Sequence, residues 1–345
     1  MIEQKETRPW DAIQAVQAKE REKQMQKQWK AFLDEYSPAK LEAELNSRII
    51  GQEELTKCVA DFYYYHVMRQ LHPKLPCRPM LICGPSGSGK TEVWRVLHEL
   101  HKDLVDIRIA DASRLSMEGW SGTYKISGLF DSKNINGGLL VFDEFDKLTK
   151  PKHNSQGDNV SMDQQSEFLK LMEGEYTLKV SPKSREEIPV KNVGIVFVGA
   201  YEWLRESKKV AAEKKIGFGI HSSEYVSEKL TTDDMLRAGI MPEIVGRIAT
   251  VCETRELNEE HYFQIVNNHA SRVSIIAGVL AEHGADVYSV INEKEIRALI
   301  SQAREQRTGV RWVSAQIENK LLDIIRTDGI KCCPSFDSLF EVEIS

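Results

Sequence analysis

Eight consecutive residues, Gly84-Pro85-Ser86-Gly87-Ser88-Gly89-Lys90-Thr91, spell the phosphate-binding pattern G-x-x-x-x-G-K-[ST] without a mismatch. Glycines at these positions let successive backbone N–H groups turn inward around a triphosphate. Lys90 is placed to reach the β- and γ-phosphates, and the Thr91 hydroxyl to hold Mg²⁺. Some fifty residues further on, Gly138-Leu139-Leu140-Val141-Phe142 is followed by Asp143 and Glu144. An aspartate at the tip of a buried strand can hold the Mg²⁺ of a bound nucleotide, and a glutamate beside it can polarise a water for attack on the γ-phosphate. Asp146 and Lys147 continue the run and read as structural or interface charges.

These residues need a scaffold that brings loop and acids together. Met80-Leu81-Ile82-Cys83 reads as a buried parallel strand before the loop, and Glu92 to Leu100 as the helix after it, whose N-terminus adds partial positive charge at the phosphates. Further buried strands are expected at 105–109, 138–142 and 193–198. Strands alternating with helices predict an α/β fold, a parallel sheet flanked by helices on both faces. From about 255 the pattern is helical, with apolar spacing at Ile296, Leu299, Ile300 and at Ile317, Leu321, Leu322, Ile325. A last strand is expected at Phe340 to Ile344. Met25, Trp29, Phe32, Leu33 and Tyr36 share one face of a leading amphipathic helix, which could pack on the main domain or dock a partner. The expected domains are an N-terminal helical segment at 1–45, a large ATPase domain at 46–252 and a small helical domain at 253–345. Residues 150–165 and 205–235 read as loops.

The chain has 345 residues and a formal net charge of −6, an acidic balance that argues against a dedicated nucleic-acid binder. No apolar run approaches the ~18 residues of a membrane helix, and the charged first residues lack a signal-peptide core. A cytoplasmic protein without a membrane partner is expected. Six cysteines without a C-x-x-C pair suggest free thiols, with Cys83 a small apolar core residue.

From about residue 46 to the end, the order and spelling of the motifs resemble the ClpX family of AAA+ protein unfoldases. Ile49-Ile50-Gly51-Gln52 is similar to the family's V-I-G-Q segment, and the phosphate loop differs from the family's usual one only at Ser86. Val141 to Lys147 resembles the family's acidic strand, and Gln164-Gln165 through Gly174 its following helix. Gly239-Ile240-Met241-Pro242-Glu243-Ile244-Val245-Gly246-Arg247 is similar to G-L-I-P-E-F-I-G-R, and Thr308-Gly309-Val310-Arg311 to T-G-A-R. The resemblance implies an AAA+ ATPase domain followed by a small helical domain, with ATP and Mg²⁺ as cofactors and Ile49 and Ile50 packed on adenine. It implies a homo-oligomeric ring, a hexamer as in the family, acting on protein substrates.

Further roles follow from the same resemblance. Arg247 would act as an arginine finger on a neighbour's γ-phosphate, where a planar guanidinium suits phosphate. Arg311 would sense the phosphate of its own chain. Gly119-Trp120-Ser121-Gly122 aligns with the G-Y-V-G pore loop, so Trp120 would grip substrate. Ile216, Gly217 and Phe218 spell the I-G-F loop that docks on a ClpP-like peptidase. Three departures stand out. A helical 1–45 segment occupies the place of the family's zinc-binding domain. The stretch between Gly174 and Val193 lacks the R-K-H entrance loop. The strand 195–198 ends in Gly199-Ala200, with no Asn or Thr to orient water. A large inserted domain of the HslU kind does not fit between Asp143 and Gly239. Rival readings are a stand-alone remodeller of one protein complex without a peptidase, and a non-hydrolysing nucleotide-binding adaptor or scaffold.

Overall fold

The structure is a computed structural model, and it describes residues 9–116, 124–130, 137–152, 157, 159–174, 177–181, 184–189, 192–204, 230–283, 287, 292–306 and 308–328. Five strands form one sheet: β1 (Met80–Cys83), β2 (Ile107–Asp111), β3 (Leu139–Asp143), β6 (Gly194–Gly199) and β7 (Thr250–Glu253). Their spatial order is β2-β3-β6-β1-β7, and every neighbouring pair is parallel. The fold is thus α/β with a five-stranded parallel sheet, followed by C-terminal helices. Two further strands, β4 (Thr177–Ser181) and β5 (Ser184–Pro189), make a separate antiparallel hairpin.

Continuous apolar strands are what a doubly covered sheet requires, because successive side chains point to opposite faces. Leu81, Cys83, Leu140, Phe142, Ile195 and Phe197 enter one core. Their alternates Met80, Ile82, Leu139, Val141, Val196 and Val198 enter another. The first core is completed by α5 (Phe145–Leu148) and α6 (Val160–Glu173), through Phe145, Leu148, Phe168, Leu171 and Met172. The second is completed by α3 (Glu53–Leu71) and α4 (Glu92–Leu100), through Val59, Tyr63, Val93, Trp94 and Leu97.

The amphipathic leading segment is two helices, α1 (Pro9–Glu35) and α2 (Pro38–Asn46), split where the Ser37 hydroxyl caps α2 by accepting from the Lys40 N–H at 3.2 Å. Trp29 and Phe32 are buried in the second core, with Met25, Leu33 and Tyr36 packed at its margin. The Trp29 indole N–H donates to the Leu104 carbonyl at 3.0 Å. Packing on the main domain is therefore the observed role of that face.

Two compact units are distinguished: the larger runs to Thr254 except for Ser86–Ser88, and the smaller takes those three residues and the chain from Arg255. The smaller contains α9 (Glu259–Asn267), α10 (Arg272–Glu282), α11 (Glu293–Glu305) and α12 (Val310–Asp328). Its core holds Val266, Val273, Leu280, Ile296, Ile300, Val313, Ile317, Leu321 and Ile324. Leu322, expected inside, is exposed, and Ile324 takes the inward position. Residues 160–165, read as loop, are the first turns of α6. Residues 232–235, likewise read as loop, belong to α7 (Thr232–Arg237). Strand β7 was not foreseen: it is a short edge with polar ends, and it exists because its backbone pairs with β1 from Met80↔Thr250 to Cys83↔Glu253. The expected strand at 340–344 lies outside the described residues.

Trp29→Ala should cost about 3–5 kcal/mol, since it opens a cavity in a close-packed core and leaves the Leu104 carbonyl unpaired. Urea unfolding monitored by circular dichroism measures this; a loss below about 1 kcal/mol would show that α1 does not belong to the core.

Candidate functional site

The phosphate loop leaves the C-terminal end of β1 and runs into α4, where ligands of open α/β sheets are held. Gly84, Gly87 and Gly89 have φ of +143°, +75° and +91°, the region glycine enters without steric cost. At Gly84 space is also decisive, because a Cβ would stand 2.0 Å from the Thr254 hydroxyl oxygen and 2.7 Å from the Thr254 carbonyl oxygen. Lys90 is buried, and its Nζ donates to the carbonyls of Gly84 at 2.9 Å and Pro85 at 2.7 Å. The ammonium thus lies folded over the loop it would share with a phosphate. Ile49 is buried beside the loop, its Cγ2 4.0 Å from where a Gly89 side chain would begin, and Ile50 is half-buried.

The second half of the site comes from β3. Thr91 Oγ1 donates to Asp143 Oδ2 at 2.8 Å, which joins the loop to the acidic strand tip. A hydroxyl and a carboxylate oxygen in contact are the ligands a hard cation takes, so Thr91 and Asp143 would hold Mg²⁺. Among the described residues no group of three or more His, Cys, Asp or Glu could form a protein-only metal cage. It is the Thr91–Asp143 oxygen pair that fits Mg²⁺ arriving with a nucleotide.

Glu144 has left-handed backbone angles, φ 57° and ψ 30°, and its N–H donates to Asp143 Oδ1 at 2.9 Å. A non-glycine residue there costs about 1–2 kcal/mol, and here it turns the carboxylate off the strand direction. Glu144 pairs with Lys147 at 2.7 Å and raises the pKa of that ammonium by hydrogen bonding and charge. Lys147 is thus tied to the acidic tip and not a separate surface charge. The Ser113 hydroxyl lies 3.4 Å from Glu144 and 2.6 Å from Asp111. Asp111 is level with Asp143 across the β2–β3 pair. Asp111 and Ser113 belong to no motif in the sequence; the signal they leave is a short strand, Ile107–Asp111, that ends in a carboxylate.

The remaining candidates are elsewhere. Arg247 follows the short helix α8 (Pro242–Val245), is exposed, and donates to the Glu243 carbonyl at 2.9 Å and to the Glu173 carboxylate. These partners are not residues of the chain's own phosphate loop. Arg311 is exposed in the first turn of α12 in the smaller unit. Trp120, Ile216, Gly217 and Phe218 lie outside the described residues. At the tip of β6, a Cβ on Gly199 would meet Tyr201 at 2.6 Å and Asp146 at 3.0 Å, which accounts for the bare strand end there.

A parallel sheet with a glycine loop after its β1 strand and an acidic tip in contact with that loop's threonine defines a P-loop nucleotide-binding domain. Residues 76–251 match the AAA domain family (Cdc48 subfamily), and the chain belongs to that family. It is similar to the ATP-dependent Clp protease ATP-binding subunit ClpX of Treponema denticola, at 28% identity over 324 residues covering 83% of this chain and 76% of the relative. The chain is accordingly an AAA+ protein with an ATP-binding domain, ClpX-like over most of its length. No helix among the described residues is long and apolar enough to cross a membrane.

Lys90→Ala should weaken ATP binding by at least about ten-fold, because a buried charge partner of the phosphates is lost. Equilibrium titration with a fluorescent ATP analogue checks this; an unchanged dissociation constant would remove Lys90 from the binding site.

Proposed function

We propose that the chain is an ATP-driven protein unfoldase that works as a ring, most simply a hexamer, and hands substrate to a ClpP-like peptidase. The observation that carries this reading is the 2.8 Å contact of Thr91 with Asp143, with the strained Glu144 beside it. Lys90 would hold the β- and γ-phosphates, and Thr91 and Asp143 would hold Mg²⁺. When bound, Mg²⁺ neutralises charge on the phosphate oxygens. Glu144 would orient the attacking water and accept its proton. The 2.7 Å ion pair with Lys147 would direct that carboxylate, as a positioned base requires.

Arg247 pairs within its own chain only at the surface, so the neighbouring subunit's site is the one its guanidinium would complete. Arg311 would report the phosphate state to the smaller unit. Trp120 would carry the resulting movement to an extended polypeptide, and Ile216, Gly217 and Phe218 would dock the peptidase. The ClpX-like relative is named as a protease's ATP-binding subunit, which supports that partner class.

Glu144→Gln should still bind ATP and assemble but hydrolyse at least about 100-fold more slowly, the range expected on losing a positioned base. Arg247→Ala should bind ATP normally and hydrolyse slowly, and mixing it with Lys90→Ala protomers should restore part of the activity at mixed boundaries. Steady-state phosphate release measures both. Wild-type turnover by either variant would overturn the corresponding assignment.

The docking role is tested by capture. A ClpP-type peptidase from the same cell should retain the unsubstituted chain under ATP and lose Phe218→Ala by at least about 30-fold, the consequence of ~2 kcal/mol at each occupied contact. Equal capture would remove the loop from the interface. No capture of the unsubstituted chain would indicate a remodeller that works without a peptidase.

A further inference from the structure

Helix α6 carries two adjacent glutamines whose side chains reach different segments, as consecutive positions on a helix must. Gln165 is fully buried. Its Nε2 donates to the Gly239 carbonyl at 2.9 Å, and its Oε1 accepts the Met241 N–H at 2.8 Å. Both ends of one amide are thus committed to a single turn of backbone, the turn that leads into α8 and Arg247. Gly239 has φ +82° and approaches α5 so closely that a Cβ would stand 2.4 Å from the Thr149 carbonyl oxygen. Thr149 ends the short helix that begins directly after Glu144. The finger-bearing turn is therefore wedged between α6 and the acidic tip.

Gln164 reaches the other way. Its Nε2 donates to the Leu115 carbonyl at 2.8 Å. The next residue, Ser116, donates to the Tyr124 carbonyl through its N–H at 2.9 Å and its hydroxyl at 3.1 Å. Those two bonds bring together the residues that flank 117–123, the segment containing Trp120. Helix α6 is already held by Phe168, Leu171 and Met172 in the core, so apolar packing alone would seat it. The two amides add something packing does not supply, namely fixed backbone positions for two segments with separate roles.

We propose that Gln164 and Gln165 are positioning residues that make α6 a bar between the Arg247 turn and the base of the 117–123 segment. The proposal rests on the reading of Arg247 as a group acting in a neighbour's site and of Trp120 as a substrate contact. Through this bar, a shift of the Arg247 turn on phosphate release in the neighbour moves the loop base in the same chain. The device needs no third residue, because one rigid helix carries both anchors.

The test uses the full chain, Gln165→Met and Gln164→Met, with Arg247→Ala and Lys90→Ala as controls. Methionine keeps the side-chain length and removes the amide. Gln165→Met should bind the ATP analogue as the unsubstituted chain does and lose at least about five-fold in turnover, a typical coupling magnitude. Lys90→Ala protomers, which carry intact fingers, should rescue it in mixed rings. Arg247→Ala protomers should not. Rescue by neither would mark general damage to the site, and normal turnover would show that the amide does not place Arg247; each overturns the proposal. If Arg247→Ala itself turns over normally, the trans reading falls and takes the proposal with it, a result distinct from failure of Gln165→Met alone. For Gln164→Met the readout is turnover with reduced, alkylated casein divided by turnover without it. That ratio should fall to about one while basal turnover persists. An unchanged ratio, or no response to casein by the unsubstituted chain, would overturn the coupling to the loop.

Discussion

The hydrogen bond from Thr91 to Asp143 is the contact on which the site depends, because Asp143 ends β3 while Thr91 caps the helix after β1, and those two strands are not neighbours. Strand β6 lies between β1 and β3, and the bond forms only if both pairings keep register. Phe142 is level with Phe197, and Phe197 with Leu81, so the loop and the acid emerge together at one edge. A one-residue slip in either ladder would turn every core side chain to the wrong face. The same apolar alternation that fills the two cores therefore fixes the distance between a hydroxyl and a carboxylate. Gly199 contributes by omission, since the middle strand ends without a side chain and Tyr201 and Asp146 occupy the space one would need.

The acidic tip is held by aromatic packing more than by charge. Phe142 precedes Asp143 and Phe145 follows Glu144, and both rings are fully buried. Phe168 meets each of them edge-on, at 4.7 and 5.6 Å, and Phe197 stacks on Phe145 at 4.3 Å. Such pairs add about 0.5–1.5 kcal/mol each beyond area burial. Together they exceed the cost of one left-handed residue, so Glu144 can be kept in a strained turn without loosening the strand. The half-exposed Glu144–Lys147 pair, worth at most about 1 kcal/mol, orients the carboxylate but does not hold the turn.

The nucleotide half of the site was legible in the sequence because its chemistry is local. Eight contiguous residues make the loop, and two make the acidic tip. The strands β1, β3 and β6 were legible because burial on both faces leaves uninterrupted apolar runs. Strand β7 escaped because an edge strand of four residues, Thr250–Glu253, is half-buried and defined by its partner rather than by its own pattern. The hairpin β4–β5 escaped for a related reason: Ser184–Pro189 includes Arg185, Glu186 and Glu187, and pairing within a two-stranded ribbon asks for no apolar run. Asp111 and Ser113 were missed because nothing local marks them. Only the register Asp111↔Asp143 brings them to Glu144. Leu322 points outward because the buried positions Val313, Ile317, Leu321 and Ile324 keep the helical period, and the residue directly after Leu321 falls off that face.

Arg247 joins a firmly held backbone to a loosely held side chain. The turn before it is fixed by both ends of the Gln165 amide and by the close approach of Gly239 to Thr149. These constraints are buried, and breaking them would leave unpaired backbone groups at about 1–3 kcal/mol each. The guanidinium, by contrast, is exposed and paired with Glu173, itself exposed. An ion pair in water contributes about 0–1 kcal/mol. A polyphosphate presented by another subunit, as proposed, would offer the same fork charged oxygens, and charge-assisted bonds are roughly twice as strong as neutral ones. On the proposed reading the side chain would pass from Glu173 to phosphate, and the turn and α6, joined by the Gln165 amide, would move as one body. A rigid base and a readily released tip are what the proposed action outside its own chain requires.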